Sequence, residues 1–469
     1  MPRHQGREFY VANSMAGMMP TEPAEVVAYP RKKAELMKSR FSCAALNWGP
    51  PSNQYKYLHP LPASTKTAAM AGNAIAFLLT ALTMVPMVSE MFPHSQGSST
   101  VVRVAAGLSL PRDADYARTG GNTPSIALFD ESGERIGFKS GARHGKIGDG
   151  NFKDIVVEPI NKGNNRAPAY LSVSSSGNDA LCIAYIYITP PNKEFWGFFG
   201  DVPKECGAAW YHSNLPVQRQ SGDPFKPRCF WIDSPEHDTG KTTSNFPQGA
   251  GIHLLDFAAT QGRVQQYQDS RDTMCASAPR FSLYSSLTEM NCLPIFNPPL
   301  TYNDDGTDAS LAALKTPGQV MCSPGPNDKP TAQQIRQLQQ WTSGRVSAPT
   351  YGVKKRSVKS RQNDRVCFAD HRVVVVSEHG DHTATELCKS TSAAGPDFVS
   401  TKEGLFCDMC TGELWPLCSQ AVPTGCFDVD LKAMRASNGT VTGTGLHARD
   451  VITGRDIPEK EYKKVVHWK

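Results

Sequence analysis

The sequence lacks the short motifs by which common catalytic classes are recognised. It has no Gly-x-Ser-x-Gly nucleophile elbow, no His-Glu-x-x-His metal motif and no Gly-x-Gly-x-x-Gly after a predicted strand. The stretch "EHDTGKTTS" ends like a phosphate-binding loop at Gly240–Thr242, but Pro235 stands where that loop requires glycine. We therefore expect no cofactor and identify no catalytic residue. A hydrolase whose two carboxylates meet only in space stays open as an alternative.

An excess of one charge is also missing from most of the chain. Residues 1–66 contain nine Lys and Arg against four Asp and Glu, and the remaining residues contain forty of each sign. The formal net charge of +5 therefore resides in the N-terminal segment. A neutral body gives no electrostatic attraction for nucleic acid, so we expect no nucleic-acid partner.

Long hydrophobic runs are absent, with one exception at residues 67–89. These 23 uncharged residues lie between Lys66 and Glu90 and include "MAGNAIAFLLTALTMVPMV". As a helix they would span about 34 Å, enough to cross a bilayer core of about 30 Å. We expect a signal anchor that leaves the basic tail in the cytosol, or a late signal peptide that is cleaved. A buried core helix is the structural alternative, although the segment has no polar face. The cleaved form requires translation to begin at Met37 or Met70.

The cysteines favour an extracytoplasmic body. One of the thirteen, Cys43, precedes the apolar segment, and an even twelve follow it. An even number is expected where cysteines pair in an oxidising compartment. The disulfide candidates are Cys182, Cys206, Cys229, Cys275, Cys292, Cys322, Cys367, Cys388, Cys407, Cys410, Cys418 and Cys426. The one acceptor triplet for N-glycosylation begins at Asn438, on the same side of the apolar segment.

Alternating apolar runs separated by turn clusters predict a mainly β protein with some α structure. The fold expected is a disulfide-braced β-sandwich-like domain, then a mixed region and a small Cys-rich β domain. "SIALFDESGERIGF" is typical of a hairpin, and "ALCIAYIYIT" of a buried strand. The predicted segments are a disordered basic tail (1–66), the anchor or signal (67–89), the β-sandwich-like domain (101–235), a helix and loop region (236–350), a basic linker (351–365) and the Cys-rich β domain (366–469).

Two polar clusters were considered as metal sites. The stretch "ADHRVVVVSEHGDH" brings His371, His379 and His382 close to three carboxylates. A solvated strand end is the structural interpretation, and it is favoured because nothing in the sequence orients the imidazoles. "NDDGTD" at 303–308 is similarly interpreted as a solvated turn and not a calcium loop. The spacing from Cys407 to Cys426 fits disulfides better than two close pairs of zinc ligands. We therefore predict no metal.

Two further features have weak functional interpretations. Lys355 and Arg356 form a dibasic pair that a secretory-pathway protease would recognise, against the simpler interpretation of a solvated linker. The aromatic side chains between Phe195 and Tyr211 would suit sugar stacking if they were exposed, but core packing is the favoured interpretation.

At "SIALFDESGERIGF", "FKDIVVEP", "DALCIAYIYIT", "CGAAWYHSN", "CASAPRFSLYSS" and "CFDVDLKAMR" the chain resembles large, uncharacterised Cys-rich secreted proteins of filamentous ascomycete fungi. The resemblance covers roughly residues 100–469 and implies secretion, without assigning any catalytic residue. The spacing of the predicted strands and turns also looks like that of lipid-associated β-sandwich domains of the PLAT kind, which is an analogy at the level of fold.

Together these observations predict a secreted or cell-surface fungal protein with a binding or structural role. Its expected ligand is a glycan, the cell wall, a lipid or a host protein. If residues 67–89 are retained, the protein is a single-pass membrane protein with a cytosolic N-terminus. The alternative function is a secreted hydrolase that acts on polysaccharide. A membrane-tethered maturation factor also agrees with an anchor.

Overall fold

A computed structural model describes residues 91–94, 97–107, 120–310, 319–322, 373–436 and 457–469, except 143, 163–165, 178, 219–223, 235–245, 259, 285–286, 288–289, 459 and 461. The basic tail, the apolar segment and the linker with Lys355 and Arg356 lie outside these residues. So do residues 331–341, whose apolar spacing predicts a helix, and His371, Cys367 and Asn438. Within the described part, no helix combines the length and the apolar character needed to cross a bilayer.

Two antiparallel sheets form a β-sandwich. Sheet 1 contains β1 (Thr100–Ala106), β6 (Phe152–Val157), β8 (Leu181–Thr189), β9 (Trp196–Phe199), β10 (Trp210–Tyr211) and β11 (Cys229–Ile232), in the order β10–β11–β8–β1–β6 with β9 also on β8. Sheet 2 contains β3 (Ser125–Phe129), β4 (Arg135–Lys139), β7 (Tyr170–Ser174), β12 (Gly249–His253) and β13 (Phe281–Tyr284), in the order β13–β12–β7–β3–β4. Their inward side chains, such as Val104, Leu128 and Ile186, form one buried core.

Short elements surround the sandwich. Paired strands are β2 (Gly121–Asn122) with β5 (Lys146–Ile147), and β14 (Cys292–Ile295) with β15 (Gln319–Cys322). The helices are α1 (Asp201–Glu205), α2 (Gln261–Asp269) and α3 (Arg271–Cys275), and a 3-10 turn spans Leu254–Phe257. Thr260 caps α2, because its side chain accepts a hydrogen bond from the backbone N–H of Arg263.

The C-terminal part forms a mixed sheet that packs on the outer face of sheet 1. It contains β16 (Val373–Ser377), β17 (Asp397–Ser400), β18 (Leu405–Asp408), β19 (Glu413–Pro416) and β22 (Lys464–Trp468), with helix α4 (Ala384–Lys389) and the pair β20 (Cys426–Asp428) and β21 (Ala433–Arg435) beside it. Both neighbours of β16, namely β17 and β22, run parallel to it. Tyr211 and Trp231 of sheet 1 share a buried core with Phe398 and Trp468.

This third layer explains the composition of β8. All nine of its residues are buried, because one face looks into the sandwich core and the other lies under side chains of the second core. A strand covered on both faces reads as a continuous apolar run, as "LCIAYIYIT" does.

Five disulfides brace the described residues. They join Cys182 to Cys229, Cys206 to Cys275, Cys292 to Cys322, Cys388 to Cys407, and Cys418 to Cys426. The first links two neighbouring strands of sheet 1, and the fourth links α4 to β18. The disulfide-braced, mainly β fold is thus confirmed.

The sandwich extends beyond the boundary predicted at residue 235. The apolar spacing of Ile252, Leu255, Phe257 and Val264 in "GAGIHLLDFAATQGRVQQYQDSRD" predicts a helix. The second half of this stretch does form α2, but residues 249–253 form β12, which pairs with β7 and β13. Glycine at position 251 allows β12 to pack against Tyr284, because a Cβ there would lie only 2.8 Å from the Tyr284 hydroxyl, closer than van der Waals contact allows. The segment after Asn291, predicted as loop, likewise begins with β14.

Candidate functional site

The aromatic cluster between Phe195 and Tyr211 is mostly core. Phe198, Phe199, Trp210 and Tyr211 are buried, which confirms the core interpretation for these four side chains. Phe195 differs, because 41% of its surface is exposed.

Phe195 begins a row of side chains on the outer face of sheet 1, here called the aromatic strip (Phe195, Phe92, Tyr187, Tyr185, Arg103 and Phe152). The ring centroids of Phe92 lie 4.9 Å from Phe195 and 4.8 Å from Tyr187, and Tyr187 stacks on Tyr185 at 4.4 Å.

Strand pairing continues the strip toward the sheet edge. Arg103 on β1 lies opposite Tyr187, and Ala105 lies between Tyr185 and Phe152. The guanidinium carbon of Arg103 sits 4.0 Å from the centre of the Phe152 ring. Phe152 is 50% exposed, so the strip is accessible at both ends and buried in its middle.

The charges on the strip are fixed by one ion pair. Nε of Arg103 lies 2.6 Å from a carboxylate oxygen of Asp154, and this hydrogen bond raises the pKa of Arg103. Burial raises the pKa of Tyr185 to about 12, so its hydroxyl stays protonated at neutral pH. The exposed ends of the strip therefore offer the rings of Phe195 and Phe152, and the ion pair of Arg103 with Asp154 lies next to Phe152. Aromatic rings and charged groups of this kind bind sugars and polar headgroups.

A second feature is an imidazole cluster (His212, His379 and His382) between sheet 1 and the C-terminal sheet, in which His212 and His382 are buried and His379 is half-buried. His382 lies 4.8 Å from both His212 and His379, measured between ring centroids. The solvated-end interpretation is wrong for His382, which is 1% exposed because Trp468 and Phe398 pack around it. No local sequence pattern indicates His212, which reaches the cluster from another layer.

Both inner imidazoles are neutral. Burial lowers the pKa of His212 to about 3, helped by the charge of Arg228. Burial, followed by the neighbouring His212 and His379, lowers the pKa of His382 well below its usual value. Nδ1 of His382 pairs with the Ser377 hydroxyl at 2.8 Å. No described atom hydrogen-bonds Nδ1 of His212 or Nε2 of His382.

Two polar stretches were named above as possible metal sites, the one from His371 to His382 and the turn at 303–308. Among the described residues, no three His, Cys, Asp or Glu side chains are placed to hold a metal ion. In the turn at 303–308, Asp305 accepts two hydrogen bonds from Thr307, and Asp308 is buried against Arg263. The motif at Gly240–Thr242 lies outside the described residues.

Two pairs of buried carboxylates meet in space, and cations bridge both. Asp256 and Asp308 each contact Arg263 and Arg280, with distances from 2.7 to 3.1 Å. Asp397 and Asp408 both lie 2.9 Å from Nζ of Lys460. All four carboxylates are at most 4% exposed, so neither pair faces a cleft as a glycosidase pair does.

Comparison with known proteins assigns no family. No known protein family and no curated protein matches the chain. Among solved structures, it is similar to crystal structures of two deletion variants of a protein titled LOX. Their sequence identities are 13% and 12% and their TM-scores 0.17 and 0.16. In both, the match covers 38% of this chain and 27% of the other, so the chain spans about a quarter of these structures.

Proposed function

We propose that this is a secreted or cell-surface protein that binds a glycan through the aromatic strip. The observation that carries the proposal is the exposure of Phe195 and Phe152 at the two ends of one row of aromatic side chains. Sugar rings stack on aromatic faces through their C–H groups, and Arg103 with Asp154 supplies hydrogen bonds to hydroxyl groups.

The five disulfides support the extracellular part of the proposal, since such bonds persist in oxidising compartments. The fungal resemblance makes wall polysaccharides the first ligands to try. Mass spectrometry of protein secreted by a eukaryotic host tests the compartment, because it reports the mature N-terminus, the disulfides and modification of Asn438 together. A chain retained in the cytosol with reduced thiols contradicts this assignment.

Binding is tested by co-sedimentation with insoluble chitin and β-glucan. We expect Phe152→Ala to weaken binding about tenfold, the loss of about 1.4 kcal/mol of stacking. Phe138→Ala is the matched control, because Phe138 is similarly exposed with Arg135 over its ring, at 5.2 Å, but lies on sheet 2. If both variants bind as tightly as the wild type, the aromatic strip is not the glycan-binding surface. Release of reducing ends from these polysaccharides would favour the hydrolase instead.

A further inference from the structure

The Asp397–Asp408 pair is placed where two carboxylates repel each other. Strands β17 and β18 are antiparallel with Phe398 opposite Cys407, so Asp397 and Asp408 face each other at the end of the ladder. Like charges directly opposite destabilise a sheet, and burial of both side chains strengthens the repulsion. The pair needs either a cation or a proton between its oxygens.

Lys460 fills this place and is itself 8% exposed. Its Nζ lies 2.9 Å from Oδ2 of Asp397 and 2.9 Å from Oδ1 of Asp408. One cation balances only one of the two carboxylates, so the site favours a proton on the other. This ion pair holds the amine beside the Asp397 carboxyl group in a buried site, so the two groups need no diffusion to meet.

The two carboxylates have different surroundings. Oδ1 of Asp408 also accepts hydrogen bonds from the backbone N–H groups of Cys410 and Thr411, at 2.9 and 3.2 Å, which hold this carboxylate in place. Burial raises the pKa of Asp397, and the charge of Asp408 adds to this increase against the opposing effect of Lys460. Burial and the charge of Asp408 thus favour a proton on Asp397, against the effects of Lys460 and of the Tyr462 hydroxyl.

The surroundings of Asp397 also suit acyl transfer. The backbone N–H of Met409 donates to Oδ1 of Asp397 at 2.7 Å, and the Tyr462 hydroxyl hydrogen-bonds Oδ2. The first contact is placed to stabilise negative charge on Oδ1, and the second lies on the oxygen that would leave.

We propose that Lys460 and Asp397 form an intramolecular amide cross-link, with Asp408 as the proton carrier. The Lys460 ammonium gives a proton to the Asp408 carboxylate, and the amine attacks Cγ of protonated Asp397. The Nζ–Cγ bond forms while Oδ1 carries the negative charge. Asp408 then relays a proton from the nitrogen to the departing hydroxyl group. The Cγ–Oδ2 bond breaks, one water leaves, and Asp408 ends protonated, so no oxidant or cofactor is required.

The intact mass of the wild-type chain tests the cross-link directly. After complete reduction and alkylation under denaturing conditions, we expect a mass lower by one water molecule than the unlinked mature chain. Tryptic digestion should yield one branched peptide that joins the segments of Asp397 and Lys460. An unlinked mass, with trypsin cleaving after Lys460, would show that the contact is only an ion pair and overturn the proposal. The wild-type mass decides this even if a variant fails to fold.

Variants test the assignment of the groups. Lys460→Arg and Asp408→Asn should both restore the full mass, because the first removes the nucleophile and the second the proton acceptor. Lys204→Arg is the matched control, since Lys204 lies 2.6 Å from Glu386 but that carboxylate is 25% exposed. It should keep the deficit of one water. A deficit lost in Lys204→Arg, or a branch mapped to Glu386, would overturn the assignment to Lys460.

Discussion

The charged network around Asp256 gives the sharpest test of how the sandwich is stabilised. His253, Arg263 and Arg280 meet Asp256, Asp308 and Glu131, so three cations balance three anions when His253 is protonated. Asp256 is central to this network. One oxygen contacts His253 and Arg280 at 2.8 and 2.9 Å, and the other contacts Arg263 at 3.1 Å.

Asp256→Asn removes one negative charge and leaves the shape of the side chain. Two guanidinium groups and an imidazole then share too few carboxylates in a site where Asp256 and Arg280 are fully buried. Removing one partner of a buried ion pair costs about 3–5 kcal/mol, because the remaining charge is not solvated. We expect the free energy of unfolding to fall by that amount.

Urea unfolding at pH 7 with the disulfides intact measures this change. Lys146→Gln is the control, because its ion pair with Asp179 is 50% and 25% exposed and should contribute less than about 1 kcal/mol. If Asp256→Asn also changes stability by less than about 1 kcal/mol, the network is not held together by its charges and the reasoning is refuted.

Three further outcomes are expected from the same structure. Although burial opposes it, Asp256 raises the pKa of His253, so stability should fall as pH rises above about 6.5, and His253→Gln should remove this slope in urea titrations. Burial lowers the pKa of His212 in the folded protein to about 3, so at pH 4 only the unfolded chain takes up this proton, and folding stability should fall by roughly 3 kcal/mol. His212→Gln should therefore lose less stability than the wild type between pH 7 and pH 4. Replacing Cys182 and Cys229 together by Ser should cost about 2–4 kcal/mol in thermal unfolding, and an unchanged midpoint would contradict a stabilising role for this bond.

Local patterns were sufficient to predict several strands but not the layers. The β3–β4 hairpin and β8 follow from turn residues and β-branched runs, which act over a few positions. The helical spacing of "GAGIHLLDF" was misleading because pairing with β7 and β13, far along the chain, outweighs local propensity.

The sites depend on contacts that no local pattern records. Nε2 of His212 contacts the carbonyl of Thr383, which is 171 residues away, and Lys460 reaches Asp397 across 63 residues. The preference for disulfides over a zinc site is confirmed for Cys407, Cys418 and Cys426, because an even number of cysteines is a signal in composition alone.

The double coverage of β8 has a consequence for how the chain reaches its native state. Its outer face is covered by a core that includes Phe398 and Trp468, which lie about 200 residues or more further along the chain. Assembly that waits on such distant segments has a high contact order and is slow. During that delay a nine-residue apolar strand stands uncovered, so chaperone supply, more than native-state stability, is expected to limit the yield of this protein.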